Sequence, residues 1–256
     1  MLWRYVGAFL TGVVVGFLGG LFGKGGSAVA TPLLSLIGFP GYIAVASPLP
    51  ATVPGTLIAS LAYWRSNLLD WEVFWWSIGV GTPAVIVGSF LSEVTGATPL
   101  LVITALLVLG FGLSFLFFPA ERVLPTVNGT TENAQKPSFW RTRLSCVSAG
   151  VGLISGLLAN SGGFLFAPSY SRFLRLRIKK AFACSLAVSA ALALPGTIIH
   201  AYLGHISWPV AGLVAAGAVP FSFLGARLAI RTRSAHLERW YGLALTALGI
   251  FFLIHL

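Results

Sequence analysis

An all-α integral membrane protein of two inverted repeats, each a re-entrant hairpin plus three transmembrane helices, is the fold this sequence predicts. Three observations carry that reading. The 256 residues are 57% hydrophobic and 9% charged, with mean hydropathy +0.90, whereas soluble domains carry about 25% charged residues. The chain also contains itself twice. Gly16 to Pro32 aligns without a gap on Gly152 to Pro168 at an offset of 136. At an offset of 137, Leu49 falls on Leu186, Trp71 on Trp208, Pro83 on Pro220, Gly88 on Gly225 and Leu100 on Leu237. Third, the basic residues collect on one side of a bilayer when two short apolar pieces are folded back as hairpins.

The first apolar stretch of spanning length runs from about Tyr5 to Phe22. It lacks the small-residue cleavage site and polar continuation of a removable signal peptide and is read as structural. Ser27 to Gly38 follows, starting a helix at Ser27 or at Thr31, since Thr31-Pro32 is itself an N-cap and N1 pair. A helix of that length rises roughly 18 Å, about half of the ~30 Å hydrocarbon core, so it cannot cross alone. Ile43 to Tyr63, Glu72 to Leu91 and Thr98 to Phe118 complete a first repeat, residues 1–118. Pro48, Pro50 and Pro54 are expected to interrupt the start of the first of these.

The polar, Pro-containing stretch 119–143 reads as a cytoplasmic linker. The second repeat, 144–256, offers Leu144 to Leu158, the short Gly163 to Leu174, then Ala181 to Tyr202, Trp208 to Ala229 and Leu237 to Leu256. Trp3, Tyr63, Trp71, Trp140, Tyr202 and Trp208 sit near segment ends, where aromatic residues form interfacial belts.

Each long-plus-short pair is either one broken crossing, which makes the repeats parallel, or a hairpin, which makes them inverted. The hairpin puts fourteen of the sixteen Lys and Arg residues, from Arg65 through the linker set to Arg239, on one side, with Arg4 alone on the other. The broken crossing divides the same charges 6 to 9. Basic residues concentrate in cytoplasmic loops, so the hairpin is preferred, with both termini outside the membrane. The net charge of +10 is therefore topological, and nucleic acid is not expected as a partner. Cys146 and Cys184 lie in apolar segments, which argues against a disulfide and a metal site.

Gly-Leu-Phe-Gly-Lys-Gly-Gly-Ser at 20–27, Gly-Leu-Leu-Ala-Asn-Ser-Gly-Gly at 156–163, a proline five residues after each run, and the Ser47-Pro48-Leu49 and Cys184-Ser185-Leu186 segments resemble the TauE/SafE sulfite exporter family. The likeness covers both halves. It implies export of sulfite or small organosulfonates such as sulfoacetate, with Ser47 and Ser185 added to the substrate-binding set. The chain departs from the family pattern at Lys24, where an apolar residue is usual, and at Pro48 and Cys184, which replace hydroxyl residues.

Opposed hairpins would aim the N-termini of both short helices at the bilayer centre. Each such end carries about half a positive charge and unpaired N–H groups, a ready anion site. Gly25, Gly26, Gly162 and Gly163 allow close backbone approach, Ser27, Asn160 and Ser161 add donors, and Lys24 adds a full positive charge. Thr52 with Ser189 and Ser60 with Thr197 are matched hydroxyls that either line the path or bond their own helices.

All six acidic residues fall at segment ends or in loops, so membrane potential is the expected driving force. An anion leaving a negative interior gains ~2.3 kcal/mol per charge per 100 mV. The partners expected are a small anionic substrate, the lipid bilayer and a second copy of the chain, with no cofactor and no catalytic activity. The nearest competing reading is a transporter of another small anion, or one working as an importer; a remoter one is an intramembrane serine hydrolase, with Ser161 as nucleophile, His200 as base and Asn160 as oxyanion donor.

Overall fold

Every spanning stretch foreseen above is a helix in the computed structural model, which describes residues 2–23, 27–91, 97–118, 139–158 and 161–254. The first repeat supplies α1 (Leu2–Phe22), α2 (Ser27–Leu36), α3 (Gly41–Ala46), α4 (Pro48–Arg65), α5 (Trp71–Leu91) and α6 (Ala97–Phe117). The second supplies α7 (Trp140–Leu157), α8 (Gly163–Phe173), α9 (Ile178–Tyr202), α10 (Trp208–Arg231) and α11 (Ser234–Ile254). No strand occurs among the described residues.

Among the described residues, five stretches are long and apolar enough to cross a membrane: Trp3–Phe22, Ile43–Arg65, Trp71–Leu91, Ile178–Tyr202 and Trp208–Arg231. The expected number was eight. α7 opens with Arg141 and Arg143, and α11 carries His236, Glu238 and Arg239 in its first two turns, while the described side chains of α6, Ala105–Phe117, form an apolar stretch shorter than a crossing. Large apolar side chains such as Trp75, Phe90, Ile198 and Leu224 are exposed on the outside of the bundle, the arrangement a lipid solvent requires.

Several boundaries differ from the sequence reading for local reasons. The proline-rich start of the third segment is a break at Ser47, which separates the short α3 from α4 and leaves Pro48 at the first helical position of α4. Pro54 stays inside α4, where it cannot donate to the Pro50 carbonyl. α2 begins at Ser27, so Thr31 and Pro32 lie inside it. α7 begins at Trp140, four residues inside the expected linker.

Helix pairing repeats the duplication. α1 packs on α10 and α7 on α5, α4 packs on both α10 and α9, α9 packs on α5, and α6 packs on α11. Exchanging each helix for its copy returns the same set of pairs. The agreement reaches single atoms. A Cβ on Gly20 would strike the Ser222 carbonyl and the Ala226 N–H, and one on Gly156 would strike the Val85 carbonyl and the Ser89 N–H. A Cβ on Gly225 would strike Phe17 and Leu21, and one on Gly88 would strike Leu153 and Leu157. Each contact is its counterpart displaced by the offsets of 136 and 137. Small residues bring the backbones together because apolar burial drives no association between helices in lipid.

The same contacts give helix directions. Gly12 lies on Val214, Gly16 on Ala218 and Gly20 on Ser222, so α1 and α10 run parallel. Gly152 on Gly81 and Gly156 on Val85 and Ser89 make α7 and α5 parallel. α4 follows α10, with Ser47 beside Ser207, Gly55 beside Ser222 and Arg65 beside Arg231. α1 and α4 therefore point the same way, and the chain between them turns back through α2. α6 and α11 run antiparallel, Leu109 meeting Gly249 and Phe115 meeting Gly242.

α8 is enclosed on all sides, with every residue from Gly163 to Ser171 buried. Tyr241 of α11 stacks its ring against Phe22, Phe115 and Phe182 at centroid distances of 5.6, 5.3 and 4.9 Å, tying α1, α6 and α9 together. Such aromatic pairs contribute about 0.5–1.5 kcal/mol each. Where the first copy packs Gly12 on Val214, the second packs Ser148 on Ser77, and the Ser77 hydroxyl also takes the Tyr170 hydroxyl at 2.7 Å.

Candidate functional site

The second Gly-rich run ends in a built helix start. Gly162 has φ of 70°, a left-handed conformation that favours glycine, and its carbonyl accepts from Leu165 N and Phe166 N at 2.9 Å each. Helix geometry leaves the N–H groups of Gly163 and Phe164 without intrahelical acceptors. Ser161 is fully buried beside them. Ser185 of α9 donates its hydroxyl to the Gly163 carbonyl at 2.9 Å, so it positions the first turn of α8.

The first run arrives at the same stretch of α9. α1 ends at Gly23, whose φ is 65° and whose missing Cβ lets it lie on the Phe182 backbone. Phe182 and Ser185 are three residues apart and share a helix face. Ser161, Gly162, Gly163 and Ser185 are thus brought together, with the end of α1 one helical turn away. Lys24, Gly25, Gly26 and Asn160 lie outside the described residues, as does the side chain of Ser27, whose backbone opens α2.

Between α1, α4, α9 and α10 lies a cleft lined by Gly16, Gly20, Thr52, Thr56, Leu186 and Ser222, among others. Its volume of about 20 Å³ holds about one water molecule. The hydroxyls on its walls are bound to backbone: Thr52 to the Pro48 carbonyl at 3.0 Å, Thr56 to that of Thr52 at 2.7 Å, and Ser222 to that of Gly55 at 2.8 Å. The cleft is closed in this conformation. At one end Tyr63 donates to the Gly20 carbonyl at 3.2 Å. Its counterpart in the second copy is His200, which faces the Gly156 backbone, the counterpart of Gly20.

Ser47 stands elsewhere. It is buried at the α3–α4 junction, and its oxygen accepts from Ser207 N at 2.9 Å at the start of α10. The copied contact is Asp70 N on Cys184 Sγ at 3.4 Å. Ser47→Ala should free the Ser207 N–H and lower stability by about 1 kcal/mol. Melting of the purified protein in detergent checks this, and an unchanged midpoint would remove the contact's role.

Two further expectations change. His200 meets His205, Nδ1 to Nδ1 at 3.3 Å, and makes no hydrogen bond to Ser161, so the nucleophile–base pair of a hydrolase is not assembled. Glu238, expected at a segment end, is 2% exposed, because α11 starts at Ser234 and packs its first turns against α6. Arg172 of α8 lies within electrostatic reach of it and donates to the Ser114 carbonyl at 2.6 Å, its guanidinium stacked 4.3 Å from the Phe115 ring centroid. Cys146 and Cys184 are free thiols.

Both runs and, on the cleft wall, Thr52 were visible in the sequence, whereas most of that wall was not. Gly16, Tyr63 and Ser222 carry no motif. The signal available was the offset itself, which pairs Tyr63 with His200 and Gly20 with Gly156.

The profile of the family described as "Sulfite exporter TauE/SafE" matches residues 8–252, nearly the whole of this duplicated bundle. The chain belongs to the TauE/SafE family. A "Probable membrane transporter protein" of Xylella fastidiosa (strain Temecula1) is 28% identical over 251 residues, covering 94% of this chain and 92% of that protein. The same name and identity are found in strain 9a5c. The "Probable membrane transporter protein YunE" of Bacillus subtilis (strain 168) is 23% identical over 236 residues, covering 85% of this chain and 84% of YunE. No solved structure matches the chain. The TauE/SafE assignment makes the protein a membrane transporter, so the closed cleft and the helix start beside it belong to a transport protein.

Proposed function

We propose that this protein exports small sulfur oxyanions or organosulfonates, such as sulfite and sulfoacetate, across the plasma membrane, driven by the membrane potential. The observation that carries the reading is the convergence of the two Gly-rich runs on one face of α9, Gly23 on Phe182 and Gly163 on Ser185, beside the open N-terminus of α8. That end offers N–H groups and a positive dipole to an anion. Lys24, the residue after Gly23 in the sequence, is the candidate for a full positive charge on the substrate, and Gly25, Gly26, Ser27, Asn160 and Ser161 complete the substrate-binding set with Gly162 and Gly163. Ser47 and Ser185 hold the surrounding helices.

The architecture behind this reading is a pair of inverted repeats, 1–118 and 144–256, joined by a cytoplasmic linker, with both termini outside. The parallel course of α1 and α4 supports it, since a broken crossing would set them antiparallel. So does the shared set of contacts at offsets of 136 and 137. Transport then consists of rocking one repeat against the other around the cleft. Glu238 has a cation within reach in Arg172, which compensates its charge inside the bundle and disfavours it as a coupling carboxylate.

The test is efflux of sulfite and sulfoacetate from proteoliposomes under an imposed potential. Wild-type protein should give potential-driven flux, and Lys24→Ala should lower it at least tenfold. No flux of either anion would overturn the substrate class, and concentrative flux on a proton gradient without potential would overturn the driving force.

A further inference from the structure

We infer that the cavity between the C-terminal ends of α4 and α10, lined by Arg65, Arg227 and Arg231, is an anion-binding vestibule that loads the transport path from that side. This rests on the anion-transport reading above. The cavity measures about 320 Å³, enough for an oxyanion with several waters, against about 20 Å³ in the closed cleft. The two spaces share walls. Gly55, Thr56 and Ser222 line the cleft, and the following turns of the same helices, with Ala62, Ser66 and Phe223, line the cavity. From Ser222 to Arg227 is about 7.5 Å of helix rise, so the arginines stand directly below the cleft.

None of the three guanidiniums makes an ion pair with a described residue. Arg227 is held by packing, its guanidinium carbon 4.3 Å from the centroid of the Phe223 ring, which leaves its N–H fork for a ligand. The negative end of α10 would repel an anion here, but Lys179 donates to the Ile230 carbonyl at 2.7 Å and masks it. A bland origin for these arginines is topology, because basic residues mark cytoplasmic ends wherever they face. Topology does not require three of them to line one cavity beneath the closed path.

The duplication sharpens the point. In the sequence, the residues matching Arg65, Arg227 and Arg231 at the offset of 137 are Tyr202, Phe90 and Val94, none of them charged. The two ends matched by the offset therefore differ in the charge their sequence supplies, and the arginine end is the one suited to concentrate anions. Fields of this kind raise local anion concentration and on-rates by about tenfold or more. Such a mouth cannot set the equilibrium direction of flux, which the gradients determine. It lowers the KM on its own face.

The experiment is sulfite flux in proteoliposomes of neutral phosphatidylcholine, with the anion offered from one face at a time. Arg227→Gln should raise KM at least fivefold from the arginine face and leave KM from the other face unchanged. Arg65→Gln and Arg231→Gln should do the same to lesser degree, and Arg227→Lys should recover part of the loss through its retained charge. Arg143→Gln, a basic residue on α7 outside the cavity, should change neither. Equal effects from both faces, or none from either, would overturn the vestibule while leaving wild-type transport standing. Variants identical to wild type in neutral lipid but impaired once phosphatidylglycerol is added would assign the arginines to a lipid headgroup and overturn the proposal. Should wild-type protein carry no flux, the transport reading fails and binding decides. A melting midpoint raised by sulfite in neutral detergent, and lost in the Arg227→Gln/Arg231→Gln double variant, would uphold the site. No such rise would overturn it.

Discussion

Gly20→Leu should yield almost no folded protein, and Gly156→Leu should fail to the same degree. A Cβ at either position runs into a carbonyl of the facing helix, Ser222 for Gly20 and Val85 for Gly156. Neither α10 nor α5 can retreat without losing the close approach that holds it. Overpacking against flexible side chains costs about 1–3 kcal/mol. Against backbone on both helices the loss should exceed about 3 kcal/mol, a large part of the total stability of a domain. Gly150 supplies the control. It lies on the outer face of α7 with no heavy atom within 4 Å of an added Cβ, so Gly150→Leu should purify and melt like wild type. Melting in detergent, read with the yield of monodisperse protein, measures all three. Recovery of Gly20→Leu with an unchanged midpoint would show that α1 and α10 do not meet at this glycine. Failure of Gly20→Leu alone would break the equivalence of the two halves.

Gly162→Ala should damage transport more than folding. Its φ of 70° is strained for alanine, and the new methyl would meet Ser155 Oγ and lie 3.0 Å from the Phe166 ring. The Gly162 carbonyl caps the first turn of α8 through Leu165 N and Phe166 N, so any shift there displaces the N–H groups proposed to meet the substrate. A displacement costing about 1.4 kcal/mol of binding is tenfold in affinity, and a flux loss of at least tenfold is expected with a fall of only a few degrees in melting midpoint. Gly204 separates backbone strain from site geometry. Its φ is 73°, and an added Cβ meets nothing within 4 Å, so Gly204→Ala shares the strain without the clash and should keep its flux. Equal flux in the two variants would detach the start of α8 from transport.

Much of the bundle was legible because duplication is a sequence property with structural meaning. Aligning Gly16–Pro32 on Gly152–Pro168 located both short helices, and the same offset relates the contacts that recur in the structure, such as Phe17 facing Gly225 and Leu153 facing Gly88. Hydropathy placed each long helix to within a few residues. Lateral neighbours were harder, since a pattern of apolar residues gives depth in a bilayer and says little about who stands alongside. Ser47 and Ser185 looked like ligands in their family motif, yet each hydroxyl engages backbone of another helix, a choice made by tertiary packing. Glu238 looked like a loop charge because it sits near a segment end, and only the packing of α11 on α6 encloses it. The break at Ser47 was visible as a proline cluster, although its position was not, because three prolines offered three places for it.

The closed cleft has a meaning for the cell beyond selectivity. A passage with room for about one water molecule, walled by hydroxyls that already hold backbone carbonyls, cannot support a continuous file of waters. Protons travel along such files, and so do hydrated sodium and chloride. In this conformation the cleft itself offers no such file, so many copies in a membrane are not expected to leak ions through it while it stays this narrow.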